Sequence, residues 1–230
     1  MTKSHLKKLV APKTWKIKRK STTFIIRPKP GGHAMDMSIP LKKVIFDIGK
    51  AKTMREVSYI LHNHIVNVDS RKKTDPAFPV GLFDIVTFPE INEAYTIVIN
   101  SWGKLVFKKL NDPKSDKKLV KIVNKRKIKG SKVQIETYCG RNLIVEDKES
   151  LKFKTGDSLM IKLPEQKIVD HKKLDKGARV YLTKGSHVGV IANVKEIVGT
   201  KIVVLDGKKE LETKKDFAFV IVDEIEKLLK

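Results

Sequence analysis

Basic side chains cluster at the predicted start of a helix and on a turn that follows it in the sequence. The cations are Lys50, Lys52 and Arg55 at the helix and Arg71, Lys72 and Lys73 on the turn. The free backbone amides and the dipole of a helix N-terminus also attract anions, and Thr53 is placed to cap this helix. Together these groups predict binding to the phosphates of a nucleic acid. The alternative is a solvated helix end and an ordinary charged turn.

The net charge of the chain favours the phosphate-binding interpretation. The 49 Lys and Arg residues exceed the 26 Asp and Glu residues by 23, whereas a small soluble domain carries a net charge of about 2–8 in magnitude. Such an excess predicts a polyanionic partner. An anionic membrane also fits the sign, but the sequence has neither an apolar span of about 18 residues nor a basic amphipathic helix. We therefore expect no membrane partner, and the lysine-rich start differs from a secretory signal and predicts a cytoplasmic protein.

Residues 1–38 are predicted to form a basic arm. Between Met1 and Ala34 there are ten basic residues and no acidic one. Because the large apolar residues here are too sparse for an independent core, we predict an arm that becomes ordered on its target; a disordered basic tail is the alternative. Trp15 could stack on an unpaired base or anchor the arm on the protein's own surface. The candidate RNA-binding residues of the arm are Lys3, His5, Lys7, Lys8, Lys13, Trp15, Lys16, Lys18, Arg19, Lys20 and Arg27.

Residues 39–90 contain the signals of two helices and a small sheet. An apolar stripe from Leu41 to Ile48 predicts a first helix that stops at Gly49. The segment Thr53-Met54-Arg55-Glu56 has the spacing of a capping box and predicts the start of the second helix. Alternating residues from Ile65 to Val68, and a further run from Phe83 to Phe88, predict strands of the sheet.

The rest of the sequence predicts two small β domains, at residues 91–170 and 171–230. Short apolar runs separated by turn signals favour a small barrel or sandwich in the first and another small β unit in the second. The predicted strands are 95–99, 105–110, 119–123, 133–138, 143–145, 159–163, 180–182, 188–194, 201–205 and 217–222, with a linker at 171–175 and a helical turn at 223–229. The basic run Lys125-Arg126-Lys127 could contact phosphate or form an exposed strand face.

The sequence offers little for catalysis or metal binding. The two β domains contain no phosphate loop, Gly-rich dinucleotide turn, His-Glu zinc motif or nucleophile elbow, so we predict a protein that is not an enzyme and has no cofactor or small-molecule substrate. His62, His64 and His187 lack metal-ligand spacing, and no metal site is expected. The single cysteine, Cys139, excludes an internal disulfide and is interpreted as a small core residue.

One region resembles a known RNA-binding module. The segments Ala51–Val57, His62–Val68 and Pro79–Val86 resemble, in this order, the αL domain that is shared by bacterial ribosomal protein S4, some pseudouridine synthases and some tyrosyl-tRNA synthetases. Ser70 replaces the usual glycine of the hairpin, and Asn63 replaces the usual glycine after the second helix. Asparagine tolerates a left-handed backbone, so the departure that matters is the one at Ser70.

A second segment, Val180–Ala192, is similar to the KOW motif of ribosomal and transcription proteins. In that motif, glycines let a β-loop bring its backbone close to RNA or to a protein partner. Gly185 and Gly189 fall on the motif, whereas Ala192 stands where the family usually has another glycine. The resemblance implies that Gly185, His187 and Gly189 are candidate RNA-binding residues.

The order of all these segments resembles the S4e family of archaeal and eukaryotic small-subunit ribosomal proteins, whose opening is similar to Ser4–Trp15, Arg27-Pro28 and Gly32-His33. The resemblance implies an α+β multidomain protein with a basic N-terminal arm, an αL-type RNA-binding domain, a small β-barrel or sandwich and an SH3-like KOW β-barrel. It also implies a structural constituent of the small ribosomal subunit, with ribosomal RNA and neighbouring ribosomal proteins as partners. A transcription-elongation or stress-response binder is the remaining alternative, but it would not need both the arm and the αL domain.

Overall fold

A computed structural model describes residues 5–112, 116–207 and 209–222 of the chain. The fold divides into two units, of which the first contains residues 1–98 and 104–116 and the second contains residues 99–103 and 117–230. The described residues form mostly antiparallel strands together with three α-helices. The predicted mixture of helices and strands is therefore confirmed.

The first unit contains strands β1 to β9 and helices α1 and α2. The strands are β1 (His5–Lys7), β2 (Phe24–Ile26), β3 (Ser38–Pro40), β4 (Asn67–Val68), β5 (Arg71–Lys72), β6 (Pro79–Gly81), β7 (Ile85–Phe88), β8 (Glu93–Ile99) and β9 (Leu105–Lys109). The helices are α1 (Leu41–Ile48) and α2 (Met54–Asn63). Strand β1 pairs with β2, β3 pairs with β6, and a five-stranded sheet has the order β5-β4-β7-β8-β9. Short 3₁₀ helices cover Lys8–Val10, Met35–Met37 and Pro89–Ile91.

Helix α1 begins and ends, and helix α2 begins, close to where the sequence predicts. In α1, Leu41, Val44 and Ile45 recur at helical spacing and are fully buried, as expected for the core-facing stripe of an amphipathic helix. Gly49 ends α1 with a left-handed φ of +86°, which costs little without a Cβ atom. Helix α2 starts at its predicted cap, Thr53. The predicted domain boundary after residue 90 falls inside the five-stranded sheet, because β7 pairs with β8.

The second unit contains two five-stranded antiparallel sheets. The strands are β10 (Lys117–Ile128), β11 (Lys132–Thr137), β12 (Asn142–Glu146), β13 (Ser158–Lys162), β14 (Lys167–Lys172), β15 (Arg179–Leu182), β16 (Ile191–Val198), β17 (Lys201–Asp206), β18 (Lys209–Lys214) and β19 (Ala218–Val220). Their orders are β12-β11-β10-β13-β14 and β18-β17-β16-β15-β19. Each sheet has its own apolar core, with Ile122 and Leu159 in the first and Val180 and Val204 in the second. Helix α3 (Asp147–Ser150) and a 3₁₀ helix (Lys215–Phe217) complete this unit.

Several predicted boundaries in the second unit differ from the structure. Strand β10 continues beyond residue 123 because its second half pairs with β11. The predicted linker at 171–175 is wrong at its start, since His171 belongs to β14 and is paired with Leu159. Strand β16 begins at Ile191 and not at residue 188, after the left-handed Gly189. The helical turn predicted at 223–229 lies outside the described residues.

Candidate nucleic-acid interface

The start of α2 presents two exposed cations next to a complete capping box. The Glu56 amide donates a hydrogen bond to Thr53 Oγ1 at 3.2 Å, and the Lys52 amide donates to Glu56 Oε2 at 2.8 Å. The hydrogen bond from the Lys52 amide lowers the pKa of the Glu56 carboxyl, so this cap stays ionised near neutral pH. The side chains of Lys52 and Arg55 are exposed, and neither forms a salt bridge to another described residue. Both remain available to an anionic ligand.

Lys50, the third predicted cation of this group, has a partner inside the first unit. Its ammonium group is hydrogen-bonded to the carboxylate of Glu93 at the start of β8, and Lys109 Nζ lies 2.6 Å from the other oxygen. The hydrogen bonds from Lys109 and Lys50 lower the pKa of Glu93 to about 2, and the bond to Glu93 raises the pKa of Lys50. The charge of Lys50 is therefore already balanced within the fold.

The β4–β5 hairpin carries a second pair of exposed cations. Asp69 and Ser70 form its turn with φ values of +52° and +63°, which match the twist of a two-residue hairpin. Asp69 Oδ1 accepts a hydrogen bond from the Ile85 amide at 3.1 Å and fixes the turn to β7. Ser70 thus takes the left-handed conformation that glycine usually supplies. Arg71 and Lys72 follow the turn and are exposed.

Two other residues near this hairpin have structural roles. Lys73 Nζ lies 4.5 Å above the ring of Phe78, a cation–π contact that leaves the side chain half-buried. Asn63 is the last residue of α2 and does not have a positive φ. The following residue, His64, caps the helix end, and its Nδ1 lies 2.6 Å from Glu90 Oε2. The left-handed residue that the αL resemblance implies after α2 is therefore absent at Asn63.

The N-terminal arm is folded against the first unit. The indole of Trp15 is only 1% exposed, and its Nε1 donates a hydrogen bond to the Ser38 carbonyl at 2.7 Å. Trp15 therefore anchors the arm, and its assignment as an RNA-binding residue is wrong because a fully buried ring has no free face for a base. Arg19 Nη atoms donate to three backbone carbonyls between residues 9 and 12 at 3.0–3.1 Å. The expectation that the arm becomes ordered only on its target is not met.

The other predicted cations of the arm remain largely at the surface. The side chains of His5, Lys7, Lys13, Lys16, Lys18 and Lys20 are exposed. Those of Lys8 and Arg27 are half-buried, and Lys8 Nζ donates a hydrogen bond to Ser21 Oγ at 2.7 Å. Lys3 lies outside the described residues. The folded arm thus adds a row of cations to the charge of the first unit.

The basic run on β10 is largely engaged within the second unit. Lys125 Nζ donates to the carbonyls of Ser150 and Phe153 at 2.5 and 2.8 Å. The next two side chains form salt bridges, Arg126 Nε to Glu136 at 3.1 Å and Lys127 Nζ to Asp147 at 3.5 Å. These contacts favour the alternative of an exposed strand face over phosphate binding.

The glycines of the loop before β16 serve the packing of the chain itself. Gly185 and Gly189 have φ values of +96° and +81°. A Cβ atom on Gly189 would lie 2.5 Å from the backbone carbon of Asn100, so no larger residue fits there without moving the backbone. His187, between the two glycines, is half-buried. Ala192 lies inside β16 without a positive φ, so the missing third glycine causes no strain.

Sequence patterns missed two residues that the structure makes conspicuous. Lys121 is buried in β10, and its Nζ donates to the carbonyls of Lys215, Asp216 and Ala218 at 2.8–3.1 Å; burial lowers its pKa to about 8. The sequence signal for this burial was a lysine that lies between two apolar residues of a predicted strand. Trp102, which the sequence marks only as part of a turn, is 84% exposed.

The part of the chain that the structure describes has no cluster of three or more His, Cys, Asp or Glu residues that could hold a metal ion. Within that same part, no helix is both long enough and apolar enough to cross a membrane. The candidate interface consists of exposed cations, namely Lys52, Arg55, Arg71 and Lys72 of the first unit together with those of the arm.

Two family models match the chain, "Ribosomal family S4e" over residues 91–168 and the "RS4NT (NUC023) domain" over residues 2–36. The chain is 38% identical to the small ribosomal subunit protein eS4 of Methanococcus vannielii, over 95% of this chain and 94% of that relative. It is 40% identical to the protein of the same name from Methanocaldococcus jannaschii, over 96% and 95%. The crystal structure of the 30S ribosomal protein S4e from Thermoplasma acidophilum matches with a TM-score of 0.69 and 31% identity, over 81% of this chain and 95% of that one.

Proposed function

The chain belongs to the S4e family of small-subunit ribosomal proteins, and from this membership we propose that it binds ribosomal RNA and supports assembly of the small subunit and translation. Members of the family are structural proteins of the ribosome and not enzymes. The chain is accordingly located in the cytoplasm, in the small ribosomal subunit. Its proposed partners are small-subunit ribosomal RNA and neighbouring ribosomal proteins.

The observation that carries the proposal is the excess of 23 positive charges combined with the exposure of the cations on the first unit. Lys52 and Arg55 project from the start of α2, and Arg71 and Lys72 project from the β4–β5 hairpin. Cations that are exposed and not neutralised by the fold release counterions from RNA when they bind phosphate, which gives both affinity and a strong salt dependence. The exposed lysines of the arm add to these cations.

The proposed domain layout keeps the αL and KOW assignments. An arm at 1–38 would precede an αL-type domain at 39–90, a central β domain at 91–170 and an SH3-like KOW domain at 171–230. The sheet β5-β4-β7-β8-β9 continues across the boundary after residue 90, and β14 continues across the boundary after residue 170. The two helices followed by the β4–β5 hairpin support the αL assignment. The five strands β15 to β19, with left-handed glycines in the β15–β16 loop, support the KOW assignment.

Reconstitution tests the proposal directly. The purified full chain is added to small subunits assembled without it, and the particles are sedimented at rising salt concentration. We expect the chain to sediment with the subunit and with naked small-subunit RNA. A chain that binds neither the RNA nor the particle would contradict the proposal.

A further inference from the structure

Trp102 lies at the most exposed point of a hairpin, and tryptophan has the largest apolar side chain of all residue types. Its indole, between β8 and β9, is 84% exposed, whereas the indole of Trp15 is 1% exposed. Tryptophan is concentrated in the binding sites of proteins because one rigid ring offers a large contact area. An indole that a polar turn of Asn, Ser and Gly holds in water is therefore a candidate contact for a ligand.

The turn that carries Trp102 has a fixed conformation. Asn100 Oδ1 accepts a hydrogen bond from the Trp102 amide at 3.1 Å, and the Asn100 carbonyl accepts one from the Gly103 amide at 2.9 Å. Gly103 completes the turn with a φ of +69°. The backbone under the indole is therefore set by local hydrogen bonds before any ligand arrives.

The same turn is fastened to the rest of the second unit. The hydroxyl of Tyr181, which is 1% exposed, accepts a hydrogen bond from the Ile99 amide at 3.1 Å and donates one to the Ile99 carbonyl. Gly189 lies directly against the backbone of Asn100 and Ser101. A ring presented on a backbone that is held this firmly loses little conformational entropy when it binds a ligand.

The sequence around this turn is cationic. Residues 99–103 and 176–195, which supply the turn and the part of the second unit that holds it, contain no Asp or Glu. Their cations are Lys176, Arg179, Lys184 and Lys195, of which Lys176 and Lys195 pair with Glu196 and Glu210. An exposed aromatic ring on a chain with a net charge of +23 suits a ligand with flat rings on an anionic backbone, which is the chemistry of single-stranded RNA.

We infer that the Trp102 indole is a stacking platform for an unpaired RNA base, with exposed cations of the chain attracting the RNA backbone. The inference rests on the proposed function and adds a binding residue to it. Stacking on an aromatic ring tolerates any base, so the platform would take an unstacked nucleotide in a loop or bulge of the RNA. A protein partner would call for a broad apolar rim around Trp102, whereas the turn consists of Asn100, Ser101 and Gly103, with the Val188 side chain against Gly103.

The test titrates the full chain with single-stranded oligoadenylate of about ten nucleotides, and compares the wild type with Trp102→Leu and Trp102→Phe. Leu keeps an apolar side chain without a ring, and Phe keeps a ring. We expect about ten-fold weaker binding for the Leu variant and a loss of under about three-fold for the Phe variant. In the wild type, RNA should protect the iodide-accessible tryptophan fluorescence, which comes from Trp102 because Trp15 is buried.

The outcomes separate the inference from the proposed function. Wild-type chain that binds RNA with the same affinity as Trp102→Leu, while iodide still reaches the indole, overturns the stacking role and leaves RNA binding in place. If the wild-type chain binds neither oligoadenylate nor small-subunit RNA at any salt concentration, the proposed function itself is overturned. If Trp102→Leu binds oligoadenylate normally but is poorly retained in particles, the indole contacts a protein and the inference fails.

Discussion

Trp15 and Ser38 connect the N-terminal arm to the start of the first unit's folded core, with the indole Nε1 donating to the Ser38 carbonyl at 2.7 Å. Ser38 itself is buried and begins β3. The arm carries many of the cations that would reach RNA, so this buried bond determines where those cations lie. An arm held in this way is part of the fold of the first unit.

Replacing Trp15 with Ala should destabilise the chain by about 3–5 kcal/mol, because the change removes a large buried ring and leaves a buried carbonyl without its donor. Denaturant unfolding of the full chain measures the loss. Phe24→Ala is the matched control on the same arm, since this ring is 54% exposed and its removal should cost less than about 1 kcal/mol. Equal stability of the two variants would show that the arm is not docked through Trp15.

Neutralising Lys52 and Arg55 together, as Lys52→Gln and Arg55→Gln, should weaken RNA binding and flatten its salt dependence. Each lost phosphate contact lowers the slope of log K against log salt by about 0.7–0.9. Stability should not change, because both side chains are exposed. Binding to small-subunit RNA at several salt concentrations provides the slope.

The control for this pair carries the same loss of two charges elsewhere. Arg126 and Lys201 are exposed cations of the second unit that face Glu136 and Glu212. The double variant Arg126→Gln, Lys201→Gln should leave the slope nearly unchanged. If both double variants lower the slope equally, only the total charge matters and the α2 surface is misassigned.

Glu93 should make the first unit sensitive to acid. Its pKa is lowered to about 2 by hydrogen bonds from Lys109 and Lys50, below the ordinary value of about 4.3 in the unfolded chain. The folded state therefore binds this proton less readily, so the stabilisation is present above about pH 4.3 and is lost as the pH falls toward 2. Glu93→Gln should lose this part of the acid dependence in unfolding experiments between pH 5 and 2. A variant with the wild-type acid profile would exclude the pairing.

Lys121 should make the stability depend on pH in the alkaline range. Burial lowers its pKa to about 8, whereas the unfolded side chain titrates near 10.4. Between these values the unfolded chain binds a proton that the folded chain has lost, so stability rises with pH. Relative to Lys121→Met, the wild type should gain about 2 kcal/mol between pH 7 and 9.5 in denaturant unfolding. A constant difference between the two proteins would mean that the buried amine keeps its ordinary pKa.

Features set by neighbouring residues were predictable from the sequence. The capping box at Thr53, the glycine stop at Gly49 and the helical stripe of α1 depend on side chains within four positions of one another, and all three occur in the structure. Short apolar runs between turn signals likewise located most of strands β10 to β19, but in the first unit only β4, β7, β8 and β9 were predicted. Strand ends were less accurate, as at Ile128, because strand length depends on the partner strand.

Features set by distant residues were not predictable. Lys50 looked like a free cation at a helix start, but Glu93, 43 positions away, balances its charge. Trp15 could not be assigned between RNA and protein because its partner, Ser38, is 23 positions away. Trp102 carried only a turn signal, since exposure follows from which surfaces the rest of the chain covers. The sequence therefore predicted that the interface is cationic, but only the fold shows which cations remain available to a ligand.

Gly189 should tolerate alanine much less well than Gly177 does. The two glycines have nearly the same φ, +81° and +82°, so the cost of a left-handed alanine, about 1–2 kcal/mol, is common to both. A Cβ atom at Gly177 meets nothing within 4 Å, whereas one at Gly189 would lie 2.5 Å from Asn100 and Ser101 backbone atoms. Since backbone cannot rotate away as a side chain can, Gly189→Ala should cost about 1–3 kcal/mol more. Denaturant unfolding of the two variants measures the difference, and equal losses would show that the Asn100 turn does not pack on this loop in solution.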